Sequence, residues 1–417
     1  MKIAIICQSY PPMVSGAAIF TERLAKYFAA GSHEVLVLAA SDRPRPYQVR
    51  KGSLLVKRVT SYPNPLRVEQ RFALWPHWQV VRSLSDFAPD LIHLHDPLQM
   101  AVSSLSYARR KNVPVLMTVH ALPWLVTASL PLGKGFSKLA DFVLWHYARW
   151  LLKRCTASVM ATKTMAEVLC AHTGISPQVI SCGVDLDTFQ PGPLHPAIET
   201  AQRARLGIPA QAPVILYVGR VDKDKQVEKI IQAAVLAMRK SAAHLLVVGD
   251  GTERQRLEGL CENLRIAERC HFTGFVSVAH GLVSLYQLAD VFVTAGEIET
   301  QGMVLLEAAA CGLPIVAVRA TCLHELVHEE CNGYLLPIGD IPGMAQRLCE
   351  LIHDPSRAHE MGLVGRQIVE SHAAEDTFAA YEALYRATIQ RKSDLAAVSR
   401  KVLRRVLNPF QKSNRLS

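Results

Sequence analysis

The chain has 417 residues, of which 50% are hydrophobic and 20% are charged, and its formal net charge is +10 at pH 7. A chain of that length usually folds around more than one hydrophobic core, so we expect two or three domains. No apolar run approaches the roughly 18 residues of a membrane-spanning helix. The positive charge favours an anionic partner, which leaves nucleic acid, anionic lipid and phosphorylated substrates to be distinguished by the motifs.

The amino-terminal apolar stretch, Ile3–Cys7, is followed at once by Tyr10 and two prolines. It is too short for a secretory signal and predicts a first β-strand. Ten cysteines are scattered along the chain without close pairs or metal-ligand spacing. We therefore expect reduced thiols in a cytoplasmic protein.

Strands and helices alternate through the first half of the chain, which is typical of a parallel sheet. A loop rich in Pro, Gly and Ser follows the first strand, and a helix is expected from Ile19 to Ala30. In that loop, Gly16 lets backbone approach a ligand closely, and the helix end beyond it favours a phosphate. Further strands are predicted at 34–40, 54–59, 91–95, 115–119, 158–162 and 179–181.

Three histidines stand near the carboxyl ends of predicted neighbouring strands, namely His93, His95 and His120. Parallel strands end at one edge of their sheet, so these side chains could converge on one cleft. For His93 we favour a simpler interpretation, a strand-end histidine with water or backbone partners. No third ligand has zinc-like spacing, so no metal site is predicted.

The second half is again α/β and opens with a strand at 213–218 that runs into Gly219 and Arg220. Lys225 follows five residues later. Arg220 offers a planar fork of donors and Lys225 a point charge, and both suit a diphosphate. Because acidic residues lie between them, a solvated charged loop is the alternative.

The most informative stretch runs from a predicted strand at 288–294, through the loop Ala295–Gln301 and the helix Gly302–Cys311, to a second strand at 315–318. Glu299 stands in the loop at the end of a strand, where open α/β sheets bind ligands. The first amides of the helix, at Gly302, Met303 and Val304, suit a phosphate. On residue types alone, Glu299 could equally be a solvated loop residue.

Glu307 projects from an otherwise apolar helix, eight residues after Glu299. A carboxylate in that setting needs hydrogen-bond donors, and a ribose diol supplies two. A cap or a salt bridge to a neighbour is the alternative.

The sequence from Glu299 to Val316 resembles the E-x7-E signature of the retaining glycosyltransferases of family 4, which have the GT-B fold. That family usually has Phe or a similar residue where Gln301 stands. It also has a P-N-G-V-D segment, in which Ser181 and Cys182 here replace Pro and Asn while Gly183 is kept.

The resemblance implies an α/β chain with two Rossmann-like domains facing across a cleft. We expect an acceptor-binding domain at 1–190, a nucleotide-sugar-binding domain at 191–375, and helices with a basic amphipathic tail at 376–417. A nucleotide-sugar is the expected donor substrate, UDP-hexose first and GDP-mannose second, with no cofactor and no metal. The reaction would be metal-independent and would retain the anomeric configuration.

Roles for individual residues also follow from the resemblance. The catalytic set is His120 and Glu299 on the donor sugar, with Arg220 and Lys225 on the departing diphosphate. The nucleotide-binding set comprises the glycine loops, the residues beside the base, the helix amides and the ribose carboxylate, that is Gly16, Gly219, Phe275, Val276, Gly302, Met303, Val304 and Glu307.

Mixtures of aromatic and basic residues point to a membrane surface as a partner. They occur at 67–82, with Trp75 and Trp78, at 122–150, with Trp145 and Trp150, and in the basic tail at 391–415. The prediction is a peripheral enzyme on the cytoplasmic face of the membrane that glycosylates a lipid such as diacylglycerol. A packed helix with a disordered basic tail is the alternative for these segments.

Other functions remain open at this stage. They are a transferase for a polysaccharide or soluble acceptor, a phosphatidylinositol mannosyltransferase, and a non-catalytic sugar-nucleotide-binding protein. Nucleic acid is not an expected partner, because the basic residues interleave with apolar ones and no binding motif is present. The sequence does not predict an oligomeric state.

Overall fold

The computed structural model describes residues 1–13, 15–64, 67–124 and 134–413, and the side chains of residues 64, 67–70, 134–135 and 395–413 lie outside that description. The chain forms two compact units. The first comprises Met1–Ala161, Ala166–Ile180 and the residues from Phe378 onward, and the second comprises Thr162–Met165 and Ser181–Thr377. This division falls earlier than the predicted boundary at 190/191, and it groups most of the predicted segment 376–417 with the first unit.

Eight strands form the main sheet of the first unit, and two more form a separate hairpin. They are β1 Lys2–Cys7, β2 Glu34–Ala40, β3 Tyr47–Lys51, β4 Leu54–Val59, the hairpin β5 Tyr62–Asn64 and β6 Arg67–Phe72, β7 Leu91–Leu94, β8 Val115–Thr118, β9 Ala157–Met160 and β10 Gln178–Val179. Across the sheet the order is β10-β9-β8-β7-β1-β2-β4-β3. All neighbours are parallel except β3 and β4. The central strands are short aliphatic runs buried along their length, as parallel strands covered on both faces require.

The first 180 residues include the helices Gly16–Ala30, His77–Phe87, Gln99–Lys111, Lys134–Leu152 and Lys163–Thr173. The first begins at Gly16, ahead of its predicted start at Ile19. Ser15 explains the difference, because its Oγ accepts a hydrogen bond from the amide of Ala18 at 3.1 Å and caps the helix.

A long helix spans Ala374–Ser413, and its residues from Phe378 onward complete the first unit. Tyr385 stacks on Phe28 with ring centroids 4.9 Å apart, and Tyr381 and Phe378 lie 5.7 and 6.4 Å from Phe20. The core of the first unit therefore combines residues from near both ends of the described chain.

The second unit contains a six-stranded parallel sheet. Its strands are β11 Val214–Val218, β12 His244–Val248, β13 Cys270–Gly274, β14 Val291–Thr294, β15 Ile315–Val318 and β16 Gly333–Leu336. Across the sheet the order is β13-β12-β11-β14-β15-β16. The helices are Pro196–Leu206, Val227–Met238, Arg254–Asn263, Leu282–Gln287, Met303–Ala310, Ile341–His353 and Pro355–Glu370. The strand predicted from Leu288 starts only at Val291, because Leu288 closes the preceding helix by donating to the carbonyl of Ser284.

Both sheets confirm the predicted α/β class, and their strand orders locate the candidate sites. In each sheet the order reverses next to the first strand of the unit, between β1 and β7 and between β11 and β14. Ligands of open α/β sheets bind beyond the carboxyl ends of the strands at such a reversal. The loops after β11 and β14, and those after β1 and β7, are therefore where function is expected.

Candidate functional site

The loop after β11 is shaped by two glycines. Gly219 has a φ of +154°, and a Cβ there would lie 2.8 Å from the hydroxyl oxygen of Tyr217. A Cβ on Gly249 would lie 1.8 Å from the carbonyl oxygen of Gly219. The Tyr217 hydroxyl donates to the carbonyl of Arg220 at 2.7 Å. This packing fixes the backbone that carries Arg220 to the sheet edge.

Arg220 is held by two carboxylates, pairing with Asp222 and, at 2.8 Å, with Asp224. Burial alone would lower the pKa of Arg220, but Asp224 and Asp222 outweigh it and raise the pKa above the ordinary value. Arg220 therefore keeps its charge. The prediction that it meets a diphosphate is compatible with this place in the fold, and a ligand there would compete with the two aspartates.

Lys225 and Glu299 are brought into direct contact as a salt bridge. Lys225 follows β11 and Glu299 follows β14, so the pair sits at the reversal of strand order. Both side chains are mostly buried. Thr321 holds the backbone of Glu299, accepting from its amide at 3.1 Å and donating to its carbonyl at 2.7 Å. The sequence predicted both residues in one site but not their pairing.

The helix Met303–Ala310 begins four residues after Glu299. Gly302 stands at its capping position with a φ of +79° and provides no side-chain cap. The amides of Met303 and Val304 belong to the first turn, whose donors have no partner within the helix. Such a turn favours a negative charge, as the sequence predicted for a phosphate.

One turn further on, Glu307 accepts a hydrogen bond of 2.9 Å from the hydroxyl of Tyr286. Tyr286 is fully buried, and burial together with Glu307 raises its pKa well above the ordinary value. It therefore remains a donor and orients the carboxylate. Sequence analysis missed Tyr286, because a tyrosine within an apolar helix looks like a core residue.

Phe275 and Val276 directly follow β13, at the same edge of the second sheet. Phe275 is more than half exposed, whereas Val276 is partly buried and packs against the core of the second unit. An exposed aromatic ring here is available to a planar group such as a nucleotide base. Its role stays a prediction.

In the first unit the three histidines do converge. His93 contacts the hydroxyls of Tyr385 at 2.6 Å and Thr118 at 2.8 Å, so its partners are side chains and not the water or backbone groups expected. The Nδ1 of His95 lies 2.9 Å from the Nε2 of His120. His93 is thus fully buried among side-chain partners, and His120 is the member nearest the surface.

The contacts of His95 and His120 are consistent with one arrangement of protons. The hydroxyl of Thr21 donates to the carbonyl of Ala17 at 2.7 Å and lies 3.1 Å from the Nδ1 of His95. If that Nδ1 carries the proton of His95, it donates to the Nε2 of His120, and His120 then carries its own proton on Nδ1.

Burial keeps all three imidazoles neutral. It lowers the pKa of His120 to about 4, and it lowers the pKa values of His93 and His95 well below the ordinary range, helped by the neighbouring histidines. Gly16 belongs to the same unit, at the start of its first helix. Asp96, which the sequence did not single out, follows β7, and burial raises its pKa to about 6 against a hydrogen bond from the amide of Gln8.

Comparison with known proteins agrees with this arrangement. Residues 198–367 match the family described as glycosyl transferases group 1, and residues 14–188 match glycosyltransferase family 4. A GDP-mannose-dependent α-mannosyltransferase of Mycobacterium tuberculosis is 28% identical over 86% of this chain and 89% of its own length. An α-monoglucosyldiacylglycerol synthase of Acholeplasma laidlawii is 26% identical over 80% and 84%.

Solved structures show the same fold. Sucrose-phosphate synthase from Thermosynechococcus elongatus superposes with a TM-score of 0.78 at 23% identity, covering 94% of this chain and 99% of its own. Anabaena HepE in complex with UDP-glucose gives 0.70 at 18% identity, covering 95% and 100%. The two Rossmann-like units and these matches define a glycosyltransferase of the GT-B fold. More narrowly, the chain belongs to glycosyltransferase family 4.

Proposed function

We propose that the second unit binds the donor as a nucleoside diphosphate sugar, with its diphosphate between Arg220, Lys225 and the amides of Met303 and Val304. The observation that carries this proposal is the gathering of two cations and an uncapped helix start at the reversal of the second sheet. Glu299 would hold hydroxyls of the sugar. UDP-hexose is the first candidate donor and GDP-mannose, named in the mycobacterial relative, is the second.

The proposed chemistry is transfer with retention of configuration. The bond from the anomeric carbon to the diphosphate oxygen breaks, and a bond to the acceptor oxygen forms on the same face of the sugar. The proton of the acceptor hydroxyl passes to the departing phosphate oxygen. Arg220, Lys225 and the helix amides would stabilise the charge that develops on the leaving group, so no metal is required for that step. His120, in the arrangement with its proton on Nδ1, would donate to a sugar hydroxyl.

The proposed acceptor is a membrane lipid such as diacylglycerol, and the first support is the distribution of charge. The first unit contains 29 Lys and Arg against 11 Asp and Glu, whereas the second contains 17 against 25. The excess positive charge of the chain therefore belongs entirely to the first unit. A surface of that sign is attracted to anionic headgroups, by about 1 kcal/mol for each basic residue close to the bilayer.

Exposed aromatic side chains in the first unit give the second support. Trp75 and Trp78 are 85% and 82% exposed and line an open, largely apolar pocket of about 640 Å³ together with Leu98 and Tyr147. Leu98 follows shortly after β7, so the pocket lies by the reversal of the first sheet. Soluble surfaces seldom leave indole rings so uncovered, and such rings suit the boundary between headgroups and acyl chains.

The helix Lys134–Leu152 extends this apolar surface. Its exposed residues Phe136, Leu139 and Val143 recur at three- and four-residue steps, and Tyr147 continues the stripe to the pocket. A helix with such a stripe suits the plane of a membrane interface. Among the described residues, no helix combines the length and the apolar character needed to cross a bilayer.

Other parts of the predicted membrane surface have a different place in the structure. Trp145 is buried and stacks on His172 with ring centroids 4.1 Å apart, so its prediction as an interfacial residue was wrong. Arg71 donates to the hydroxyl and the carbonyl of Ser61, each at 2.9 Å, and braces the hairpin. Residues 125–133, the side chains of 395–413 and residues 414–417, on which the loop and tail predictions partly rest, lie outside the described residues.

Vesicle flotation combined with a transfer assay tests the proposal. Full-length protein is incubated with anionic or zwitterionic vesicles containing diacylglycerol, at low and high salt, with labelled UDP-glucose or GDP-mannose. We expect salt-sensitive binding to anionic vesicles and label in the organic phase. If label enters only soluble or polysaccharide acceptors, the proposed lipid acceptor is refuted. If no label is transferred from either donor, the proposed reaction with these donors is refuted.

A matched pair of variants tests the surface itself. Trp75→Ser with Trp78→Ser should weaken vesicle binding at least tenfold. The control is Ile338→Ser with Leu363→Ser, which removes exposed aliphatic side chains from the second unit. Equal binding by both double variants would contradict the assignment of the tryptophan surface to the membrane.

A further inference from the structure

Gln301 is a buried residue of the second unit, between Glu299 and the helix start that belong to the proposed donor site. It follows Glu299 by two residues and precedes Gly302, so it links the loop after β14 to the helix at Met303. Only 2% of the surface of Gln301 is exposed. Its Oε1 accepts from the amide of Cys182 at 2.6 Å, and its Nε2 donates to the Oγ of Ser181 at 2.7 Å. Both ends of the side chain are therefore fixed.

The segment that Gln301 contacts is itself firmly held. The amide of Val184 donates to the carbonyl of His372 at 2.8 Å. Gly183 has a φ of +68°, and a Cβ there would lie 2.7 Å from the hydroxyl oxygen of Thr377. Packing this close leaves the segment little freedom, so it can serve as a reference point for the loop.

The remainder of the loop is tied through its backbone. Thr321 binds both the amide and the carbonyl of Glu299, and the hydroxyl of Thr162 donates to the carbonyl of Thr300 at 3.1 Å. Gln301 adds a tie through its own side chain at the point where the loop becomes helix. A shift at this point would move the Glu299 carboxylate and the first helical amides relative to each other.

We propose that Gln301 is a positioning residue that acts through Glu299, and that Ser181 and Cys182 are its anchor. This inference rests on the proposed donor site. These three positions are also among those at which the sequence departs from the family pattern, and the structure joins them by hydrogen bonds. They therefore form one hydrogen-bonded unit, and we expect the effect of a change at one position to depend on the residues at the other two.

Two sets of variants test the proposal. Gln301→Ala, Ser181→Ala and their combination remove the tie. Gln301→Phe introduces the residue usual in the family at this position only. The triple variant, which adds Ser181→Pro and Cys182→Asn, introduces the family residues at all three positions.

The matched control is Asn332→Ala. Asn332 is fully buried in the same unit and makes the same kind of bonds, accepting from the amide of His328 at 2.7 Å and donating to the carbonyl of Leu326 at 2.9 Å. It precedes β16 and holds a turn, so its loss should lower stability without touching the donor site.

With the donor that the transfer assay identifies, Gln301→Ala should lower kcat about 10- to 100-fold, the loss expected when a reacting group is misplaced by about 1 Å. Affinity for the free nucleoside diphosphate should fall less than kcat does, because Arg220 and Lys225 would still hold the diphosphate from the loop after β11 when the helical amides shift. The double variant with Ser181→Ala should be no slower than Gln301→Ala within about twofold. The triple family-type variant should regain most of the activity lost by Gln301→Phe. Asn332→Ala should keep kcat while its thermal midpoint falls.

Wild-type turnover in Gln301→Ala, an equal loss of kcat in Asn332→Ala, or a triple variant no faster than Gln301→Phe would each overturn the inference and leave the proposed function standing. If the wild type transfers no sugar, the proposed function fails instead. Hydrogen exchange then decides the positioning role. Amides 299–304 should lose protection in Gln301→Ala and keep it in Asn332→Ala, and unchanged protection in both would refute the role.

Discussion

Acidification from pH 7 to pH 5 is expected to destabilise the first unit, because that unit holds three histidines neutral. Burial lowers the pKa of His120 to about 4 and those of His93 and His95 well below the ordinary range. Unfolding returns each group to a pKa near 6.5. As the pH falls through that value, the unfolded chain binds protons that the folded unit does not, so stability is lost from about pH 6.5 downward.

The size of the effect follows from this linkage. A histidine that stays neutral in the folded unit costs about 2 kcal/mol of unfolding free energy between pH 7 and pH 5. Asp96 stabilises the folded unit as the pH falls, because its pKa in the folded state, about 6, lies above its pKa in the unfolded chain. It adds about 1 kcal/mol to the unfolding free energy between pH 7 and pH 5. The expected net loss for the first unit is therefore about 4 kcal/mol, large against the stability of a typical domain.

The tryptophans make the first unit separately observable. All five of them lie between residues 75 and 150, within that unit. Urea unfolding followed by tryptophan fluorescence at the two pH values measures the first unit, while circular dichroism follows both. The fluorescence midpoint should fall clearly at pH 5.

His93→Gln supplies the control, since an amide retains one donor and one acceptor but does not titrate in this range. The pH-dependent loss should shrink by about 2 kcal/mol in this variant. An unchanged fluorescence midpoint at pH 5 would refute the reasoning, and so would an undiminished pH dependence in His93→Gln. If that variant does not fold, NMR titration of the wild-type histidines decides, because protonation of His93 above pH 5 contradicts the buried neutral state.

Three further predictions concern the second unit. Tyr286→Phe removes a donor from Glu307 and should weaken nucleoside diphosphate binding about tenfold by calorimetry, whereas unchanged affinity would separate Glu307 from the nucleotide. Gly249→Ala places a methyl group against the carbonyl of Gly219 and should cost about 3 kcal/mol or more in thermal unfolding, whereas a wild-type midpoint would show that this strand end can shift. Lys225→Met should raise the donor KM about tenfold, and an unaltered KM would place the diphosphate elsewhere.

Local patterns were enough to predict the residues that depend on one strand end or one helix start. Glu299 lies after a strand and Met303 starts a helix, as predicted, because a polar loop between buried strands has a fixed place in an α/β sheet. The pairing of Lys225 with Glu299 was not predicted, because it joins loops 74 residues apart through the strand order. No local pattern contains that information.

The other differences between prediction and structure concern residue types that occur both in protein cores and on protein surfaces. Trp145 and Trp75 have the same chemistry in the sequence, yet one is packed on His172 and the other is exposed. Gln301 was predicted only as the last residue of a polar loop, and its burial depends on partners about 120 residues earlier in the chain. Burial of a tryptophan or of an amide is decided by tertiary neighbours, so it cannot be derived from the sequence nearby.

The return of the last helix to the first unit has a consequence for biosynthesis. Domains usually fold in the order in which they leave the ribosome. Here Phe28 and His93 are made early, but their partner Tyr385 is made only after the entire second unit. The half of the protein that is translated first is thus the half that matures last, and until then its unfinished core offers apolar surface to chaperones.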